Sequence, residues 1–207
     1  MSSEPVASPS ADAWTVRKIL TWTTQHFHER GCDTPRLDAE ILLAHVLQCP
    51  RIQLYVQYDR LLTEDERTGL RALVKRRAAH EPVAYLVGKR EFFGLDFHVT
   101  NDVLIPRPDT ETLVLELLDF LRDSPVSEAI ELGVGSGAIS VATGAQSPGV
   151  HFHAVDISQP ALEIARENAT RHGVQSQITF YEGDLFNPIP ADLRVDVIVS
   201  NPPYVQT

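Results

Sequence analysis

The feature that most constrains the fold is the run from Ala129 to Ser140, where a short apolar stretch leads directly into glycines at positions 133, 135 and 137. Closely spaced glycines after a strand let the backbone turn sharply and approach a ligand before a helix begins. With Ala138 the spacing also satisfies the G-x-G-x-x-G/A fingerprint of dinucleotide binding, although any tight βαβ turn can need glycine for steric reasons alone. The run therefore predicts a parallel βαβ unit with a candidate pocket for a nucleotide-type ligand.

Further strands follow this glycine loop at the spacing of an open α/β sheet. The second predicted strand is His151 to Asp156, and Asp156 is placed to accept hydrogen bonds from ribose hydroxyls. After the third predicted strand, Gln177 to Glu182, the residues Asp184 and Leu185 can meet the amino group and the face of an adenine. These features fit NAD and S-adenosylmethionine equally.

The fourth predicted strand, Val195 to Ser200, ends in the tetrapeptide Asn201-Pro202-Pro203-Tyr204. Ligands bind at the carboxyl ends of strands in open α/β sheets, and the two prolines restrict the loop to an extended shape. Asn201 offers a side-chain carbonyl and Pro202 a backbone carbonyl, so two acceptors can hold a planar NH2 group beside the ring of Tyr204. The alternative is an Asn-Pro turn that only ends the strand.

The first part of the chain has a helical pattern from Trp14 to His80. Apolar residues recur there at steps of three and four, and Gly31 marks the end of the first helix. Thr63 and Glu66 form a capping box for a helix that we expect over Glu64 to His80. No residue of this bundle has an obvious chemical role.

The pattern divides the chain into four parts. The region after the bundle alternates as short strands, and Asp109 or Thr110 is expected to cap a helix that runs to about Arg122. The first residues are rich in Ser, Pro and Ala and lack the basic and apolar segments of a signal peptide. The predicted parts are a flexible leader at residues 1 to 12, a helical bundle at 13 to 80, a β-hairpin linker at 81 to 105 and an α/β domain at 106 to 207.

Charge is distributed unevenly along the chain. Residues 1 to 90 contain 13 Lys and Arg against 11 Asp and Glu, whereas residues 91 to 207 contain 5 against 17. The acidic half is a poor electrostatic match for naked nucleic acid, so no direct nucleic-acid partner is expected. No run is long and apolar enough to span a membrane, and without an export signal the expected location is the cytoplasm.

Several other chemistries are disfavoured. The eight histidines are scattered, and His151 and His153 share a strand without a third ligand, so no metal site is expected. Cys32 and Cys49 do not form a disulfide framework. Ser136 lacks the Gly-x-Ser-x-Gly context of a nucleophile, and no Walker lysine follows the glycine loop.

Taken together, these motifs resemble the class I S-adenosylmethionine methyltransferases, and within them the HemK/PrmC family. The resemblance covers nearly everything after about Val16 and includes three segments besides the glycine loop and the Asn-Pro-Pro-Tyr loop. Members of this family methylate the side-chain amide of the glutamine in the Gly-Gly-Gln loop of peptide-chain release factors. One departure is Val134, where many relatives have threonine. The three segments are Glu81 to Gly88, Glu91 to Gly94 and Ile105 to Glu111.

The resemblance implies S-adenosylmethionine as cofactor, a release factor as protein substrate, and a role for the helical bundle in holding that substrate. The bundle could instead be a purely stabilising appendage. Asn201, Pro202 and Tyr204 are the implied catalytic residues. The implied cofactor contacts are Gly133, Val134, Gly135, Ser136, Gly137, Asp156, Asp184, Leu185 and Asn201. The implied substrate contacts are Asn201, Pro202, Pro203, Tyr204, Phe92 and Arg107.

The resemblance also implies an α/β class I methyltransferase sheet with strand order 3-2-1-4, preceded by the helical bundle and the hairpin. Family members continue beyond the Asn-Pro-Pro-Tyr loop to a seven-stranded sheet. We therefore expect a truncated chain whose fourth strand is an uncovered edge, with weak stability or aggregation as the result. Alternatives to release-factor methylation are methylation of an adenine amino group or of a ribosomal-protein glutamine, or an inactive fragment that acts at most as a binding module.

Overall fold

The computed structural model describes residues 14–124 and 126–202, and the described chain divides after Val87 into two compact units. The first unit is helical and the second contains both β-sheets. The predicted leader, residues 1 to 12, lies outside the described residues, as do Pro203 and Tyr204.

The first unit is built from five helices around one apolar core. Thr15 caps the first helix by accepting a hydrogen bond from the Lys18 amide at 3.2 Å. The predicted capping box is confirmed: the Thr63 hydroxyl accepts from the Glu66 amide at 3.2 Å, and the Glu66 carboxylate accepts from the Thr63 amide at 2.8 Å. The helices are α1 Val16–Glu29, α2 Pro35–Val46, α3 Arg51–Val56, α4 Glu64–Arg77 and α5 Val83–Val87. Fully buried side chains include Val16, Leu20, Phe27, Leu42, Leu43 and Leu54.

A buried carboxylate fixes α2 against α3. Glu40 accepts hydrogen bonds from Arg36 at 2.5 Å, from Arg51 at 2.7 Å and from the Tyr55 hydroxyl. Burial alone would raise the pKa of the Glu40 carboxyl, but these hydrogen bonds from Tyr55, Arg51 and Arg36 outweigh it and lower the pKa. Asp38 makes a second buried ion pair with Arg77 of α4, at 2.7 Å. These pairs satisfy groups whose burial without partners would be costly.

The prediction of strands throughout residues 81 to 105 is wrong at its start. Residues Val83–Val87 form the short helix α5, because Pro82 opens a helical turn in which its carbonyl accepts from the Leu86 amide at 3.2 Å. The hairpin itself is present, as β1 Lys89–Phe92 and β2 Leu95–His98 paired antiparallel. It lies in the second unit, after the division at Val87.

The second unit contains a four-stranded parallel sheet with the predicted order. The strands run β5-β4-β3-β6, which is the order 3-2-1-4, so the expectation of an α/β class I methyltransferase topology is confirmed. The elements after the hairpin are α6 Asp109–Asp123, β3 Glu128–Leu132, α7 Ala138–Gln146, β4 His151–Asp156, α8 Gln159–Arg171, a 3-10 turn Gln175–Gln177, β5 Ile178–Glu182 and β6 Val197–Ser200.

The start of α6 differs from the prediction. Pro108 occupies the N-cap position and no side chain caps the helix, so neither Asp109 nor Thr110 has the predicted capping role. Proline suits a helix start because its fixed φ is already close to helical and its missing N–H needs no partner there. Thr110 is consequently within the first turn, where its hydroxyl is available for another contact.

The strand β6 pairs with β3 on one side and has no outer partner among the strands that the structure describes. Successive side chains of the strand face opposite sides of the sheet, and Ile198 is 53% exposed whereas Val199 is buried. At the start of the strand Asp196 accepts hydrogen bonds from the Ser127 and Glu128 amides, at 2.9 and 3.1 Å. These bonds lower the pKa of the Asp196 carboxyl and fix the register of β6 against β3.

Candidate cofactor and substrate site

The glycine loop turns back over the carboxyl end of β4. The amides of Gly133 and Val134 both donate to the Val155 carbonyl, at 2.8 and 3.1 Å. Gly133 and Gly135 have φ values of +72° and +53°, which side chains rarely adopt, and a Cβ on either residue would project into open space. The loop therefore presents bare backbone to an open space above Gly133 and Gly135, which we call the glycine cradle. Gly137 is different, because a Cβ there would lie 3.3 Å from that of Ala165.

Asp156 fixes this cradle at the end of β4. One carboxylate oxygen accepts from the Gly135 amide at 2.9 Å, and the other accepts from the Ser158 amide at 2.9 Å. Ser158 in turn caps α8 by accepting from the Ala161 amide at 3.3 Å. The side chain of Asp156 is only partly buried, and each carboxylate oxygen has a second lone pair with which it can accept a ligand hydroxyl.

Glu131 lies beneath the glycine loop and was not singled out by its sequence pattern. Its side chain is 1% exposed, and its carboxylate accepts from the Ser140 amide in the first turn of α7 at 3.0 Å. Burial raises the pKa of this carboxyl to about 7, the hydrogen bond from the Ser140 amide opposes the rise, and the charge of Asp156 adds to it. A carboxyl group inside an otherwise apolar strand is the sequence signal that could have indicated a buried contact between Glu131 and the start of α7.

A second buried polar residue, Asn168 of α8, connects the glycine loop to the hairpin. Its amide nitrogen donates to the Ser136 carbonyl at 2.9 Å and to the His98 carbonyl at 3.0 Å, and its oxygen accepts from the His98 amide at 2.7 Å. The sequence pattern did not single out Asn168. The Val134 and Ser136 side chains of the loop are themselves buried, so contact between these residues and a ligand in the cradle would be through the backbone.

The loop after β5 lies beside the end of β4. The Gly183 amide donates to the Asp156 carbonyl at 3.0 Å, and a Cβ at Gly183 would come within 2.9 Å of the Pro188 ring. Asp184 is exposed and Leu185 is 58% exposed with φ +49°. Ile157, which sequence reasoning passed over, is also exposed after β4, so two apolar side chains follow neighbouring strands at this edge.

Asn201 follows β6 on the other side of β3. Its amide nitrogen donates to the hydroxyl of Thr110 in α6 at 2.9 Å, and the preceding Ser200 hydroxyl donates to the Leu132 carbonyl at 2.9 Å. Leu132 is the residue before the glycine loop, and it is paired with Ser200 across the strands. Asn201 is thereby held at the same sheet edge as the cradle, while Pro202 after it is exposed.

The two predicted substrate contacts outside this loop have different surroundings. Phe92 is 1% exposed and packs edge-on against Phe97, with ring centroids 5.9 Å apart. The structure therefore gives it the role of a core residue, which is the ordinary role of an aromatic side chain in a hairpin. Arg107 is exposed, and its carbonyl accepts from the Thr110 amide at 3.0 Å. The contribution of Arg107 to substrate binding stays a prediction.

Over residues 14–124 and 126–202, no group of three or more His, Cys, Asp or Glu side chains is arranged to hold a metal ion. His151 and His153 do lie together, with ring centroids 5.1 Å apart. Their partners are structural, since His153 contacts the Glu128 carboxylate at 2.8 Å and His151 contacts the Thr179 hydroxyl at 2.8 Å. Cys32 and Cys49 are both free thiols. None of the helices within the described residues has the length and apolar character needed to cross a membrane.

The parallel sheet, the glycine cradle and the loop at Asn201 define an α/β methyltransferase domain, and comparison with known families agrees. Residues 108–207 match the methyltransferase small domain, and residues 18–88 match the PrmC N-terminal domain. Curated relatives resemble the chain over most of its length. With 39–46% identity to three of them, the chain belongs to the release factor glutamine methyltransferase family.

The three relatives carry the name release factor glutamine methyltransferase. The protein of Rhodopirellula baltica is 45% identical and is matched over 93% of this chain and 66% of its own length. The protein of Geobacter sulfurreducens is 46% identical and is matched over 95% of this chain and 67% of its own length. The protein of Chlorobaculum tepidum is 39% identical and is matched over 95% of this chain and 70% of its own length. The chain thus spans about two thirds of the length of the curated relatives it matches.

Solved structures overlap with a smaller part of the chain. Human methyltransferase 10 domain containing protein is 22% identical, covers 56% of this chain and 57% of its own, and gives a TM-score of 0.45. A methyltransferase of Thiobacillus denitrificans in complex with S-adenosylhomocysteine is 26% identical, with 49% and 38% coverage and a TM-score of 0.38.

Proposed function

We propose that this protein transfers a methyl group from S-adenosylmethionine to the side-chain amide nitrogen of the glutamine in the Gly-Gly-Gln loop of a peptide-chain release factor. The observation that carries the proposal is the convergence of the glycine cradle, Asp156 and Asn201 on one edge of the sheet. Membership of the release factor glutamine methyltransferase family supports the choice of substrate.

The cradle is suited to S-adenosylmethionine in shape and in hydrogen-bonding groups. The open space above Gly133 and Gly135 lets a ligand approach the backbone closely, and Asp156 offers acceptors for the ribose hydroxyls. Ile157 and Leu185 supply exposed apolar surface for an adenine face, with Asp184 as an acceptor for its amino group. When bound, the cofactor supplies an electrophilic methyl group attached to a positively charged sulfur.

The residues after β6 would orient the substrate amide. The Asn201 side-chain oxygen and the Pro202 carbonyl would each accept one N–H of the glutamine NH2 group, and the role that the sequence predicts for Tyr204 is to stack against the amide plane. Holding the nitrogen in line with the methyl carbon supplies much of the acceleration, up to about 7 to 11 kcal/mol for well-oriented groups. The same acceptors would stabilise the positive charge that develops on nitrogen more strongly than they stabilise the neutral amide. As the N–CH3 bond forms the S–CH3 bond breaks, S-adenosylhomocysteine is the leaving group, and the alkylated nitrogen becomes acidic and loses its proton to water.

The helical unit is proposed to hold the release factor while the second unit carries out the transfer. The strongly acidic balance after residue 90 disfavours a nucleic-acid substrate, since phosphate binding depends on Lys and Arg. A substrate that acts in translation termination is consistent with a cytoplasmic location.

The test is a methylation assay with the full-length protein, S-adenosylmethionine carrying a labelled methyl group, and a purified release factor. We expect one methyl group on the Gly-Gly-Gln glutamine, located by peptide mass spectrometry. A release factor with that glutamine changed to alanine is the matched control and should remain unlabelled. Parallel reactions offer ribosomal proteins or adenine-containing nucleic acid as the substrate, and label on one of these in place of the release factor would refute the proposal.

A further inference from the structure

We infer that Thr110 is a positioning residue for the transfer: by accepting a hydrogen bond from the Asn201 side-chain nitrogen, its hydroxyl holds the Asn201 amide with the oxygen pointing away from Thr110. This inference rests on the proposed function. The juxtaposition that carries it is the hydrogen bond from the Asn201 side-chain nitrogen to the Thr110 hydroxyl oxygen, 2.9 Å long and joining residues 91 positions apart.

Thr110 is well placed to orient another group because it is itself fixed. Thr110 is 9% exposed and lies in the first turn of α6, where its backbone amide donates to the Arg107 carbonyl at 3.0 Å. The buried side chains of Val114 and Leu117 anchor the helix in the core of the second unit. The next residue, Glu111, accepts from the Phe93 amide at 3.1 Å, so the same turn also contacts the hairpin.

An asparagine side chain needs such a partner to be functionally oriented. Its oxygen and its nitrogen have nearly the same size and shape, so half a turn of the amide exchanges an acceptor for a donor at little steric cost. In the structure the nitrogen faces Thr110, and the oxygen consequently points away from Thr110. In the reversed orientation two NH2 groups, those of Asn201 and of the substrate, would confront each other with no acceptor between them.

The backbone at this point is constrained as well. Ser200, immediately before Asn201, is bonded to the Leu132 carbonyl at 2.9 Å, and Pro202 after it has a restricted φ. With the backbone constrained on both sides, the rotation of the Asn201 side chain decides whether its oxygen or its nitrogen faces the substrate. Thr110 restricts that rotation from outside the loop.

Matched substitutions in α6 test this role in the full-length protein. Thr110→Val replaces the hydroxyl with a methyl group of similar shape, Thr110→Ser keeps the hydroxyl, and Thr112→Val makes the same change at an exposed position two residues on. We expect kcat for release-factor methylation to fall roughly 10- to 100-fold in Thr110→Val, the range associated with misplacing a reacting group. Thr110→Ser should recover most of the loss, and Thr112→Val should match the wild type.

Two further readouts separate positioning from a merely structural role. The dissociation constant for S-adenosylmethionine, measured by calorimetry, should change less than about twofold in Thr110→Val, because the cradle is formed by other residues. The melting temperature should be similar for the Val and Ser variants. Equal kcat values for Thr110→Val and the wild type would overturn the inference. It would also be overturned if Thr110→Ser lost as much activity and as much cofactor affinity as Thr110→Val.

A spectroscopic measurement makes the inference independent of the substrate. The Asn201 side-chain NH2 resonances should show slow hydrogen exchange in the wild type and in Thr110→Ser, and faster exchange in Thr110→Val. Unprotected Asn201 protons in the wild type would overturn the role of Thr110. If those protons are protected while the release factor is not methylated, the orientation of Asn201 stands and the proposed function fails.

Discussion

At the scale of single residues, Asn201 is the group on which the proposed chemistry depends most. Asn201→Ala removes a side-chain acceptor for the substrate amide, and deleting one such preorganised group typically costs about 10²- to 10³-fold in kcat. Affinity for S-adenosylmethionine should fall far less, because the lost acceptor serves mainly the substrate. Methyl transfer to release factor and calorimetry measure the two effects, with Asn101→Ala in an exposed turn as control. Wild-type turnover in Asn201→Ala would remove this residue from the mechanism.

Glu131 leads to a prediction about pH. Burial raises the pKa of its carboxyl from 4.5 to about 7, so between these values the unfolded chain loses the proton and the folded protein keeps it. The contribution of the protonated group to the free energy of unfolding is complete below about pH 4.5 and is lost as the pH rises toward 7. Glu131→Gln cannot ionise. Its melting temperature relative to the wild type should therefore rise between about pH 5 and about pH 8.

The control for this experiment is Glu116→Gln, which changes an exposed carboxyl group of α6. Its melting temperature should follow that of the wild type at every pH. A constant difference between Glu131→Gln and the wild type over the same range would mean that the Glu131 proton does not contribute to the pH dependence.

At the scale of structural elements, Asn168 joins α8, the hairpin and the glycine loop by three hydrogen bonds to backbone groups. Asn168→Ala leaves the Ser136 and His98 groups without these partners, and each orphaned buried group costs about 1 to 3 kcal/mol. The His98 amide should exchange its hydrogen faster in the variant than in the wild type, whereas amides of β3 should be less affected. Hydrogen exchange measures both. Unchanged exchange at His98 would contradict the structural role assigned to Asn168.

The helix α4 offers a simpler prediction about local stability. Thr63→Ala removes half of the capping box and should lower the free energy of unfolding by about 1 kcal/mol. Thr68→Ala, at an exposed position inside the same helix, should be neutral or slightly stabilising because alanine is the better helix former. Denaturant titrations of the two variants measure the difference. A cap that contributes nothing would make their midpoints coincide.

Elements were predictable from sequence where local chemistry decides their ends. The Thr63 capping box and the four parallel strands follow from residues close together in the chain. The helix α5 was missed because its short apolar run also fits a strand and its start depends on Pro82. Thr110 and Asn168 could not be recognised from sequence, because their partners are 91 and 70 positions away and only the fold brings them together.

At the scale of the whole molecule, cofactor binding should stabilise the protein selectively. S-adenosylmethionine at about 100 times its dissociation constant should raise the free energy of unfolding by about 2.7 kcal/mol, whereas NAD at the same concentration should not. Gly135→Ala places a Cβ in the cradle at φ +53° and should lose this stabilisation. Gly149→Ala, in open space without a positive φ, should keep it. Thermal denaturation measures each case, and stabilisation by NAD alone would contradict the choice of cofactor.

The strand order also bears on how the site is assembled during synthesis. Three contacts of the glycine loop, from Glu131 to Ser140, from Gly135 to Asp156 and from Ser136 to Asn168, join residues 131 to 168 only. The contact between Thr110 and Asn201 must wait until β6 has emerged from the ribosome and paired with β3. A nascent chain therefore has the means to fix its glycine loop before it can orient a substrate amide.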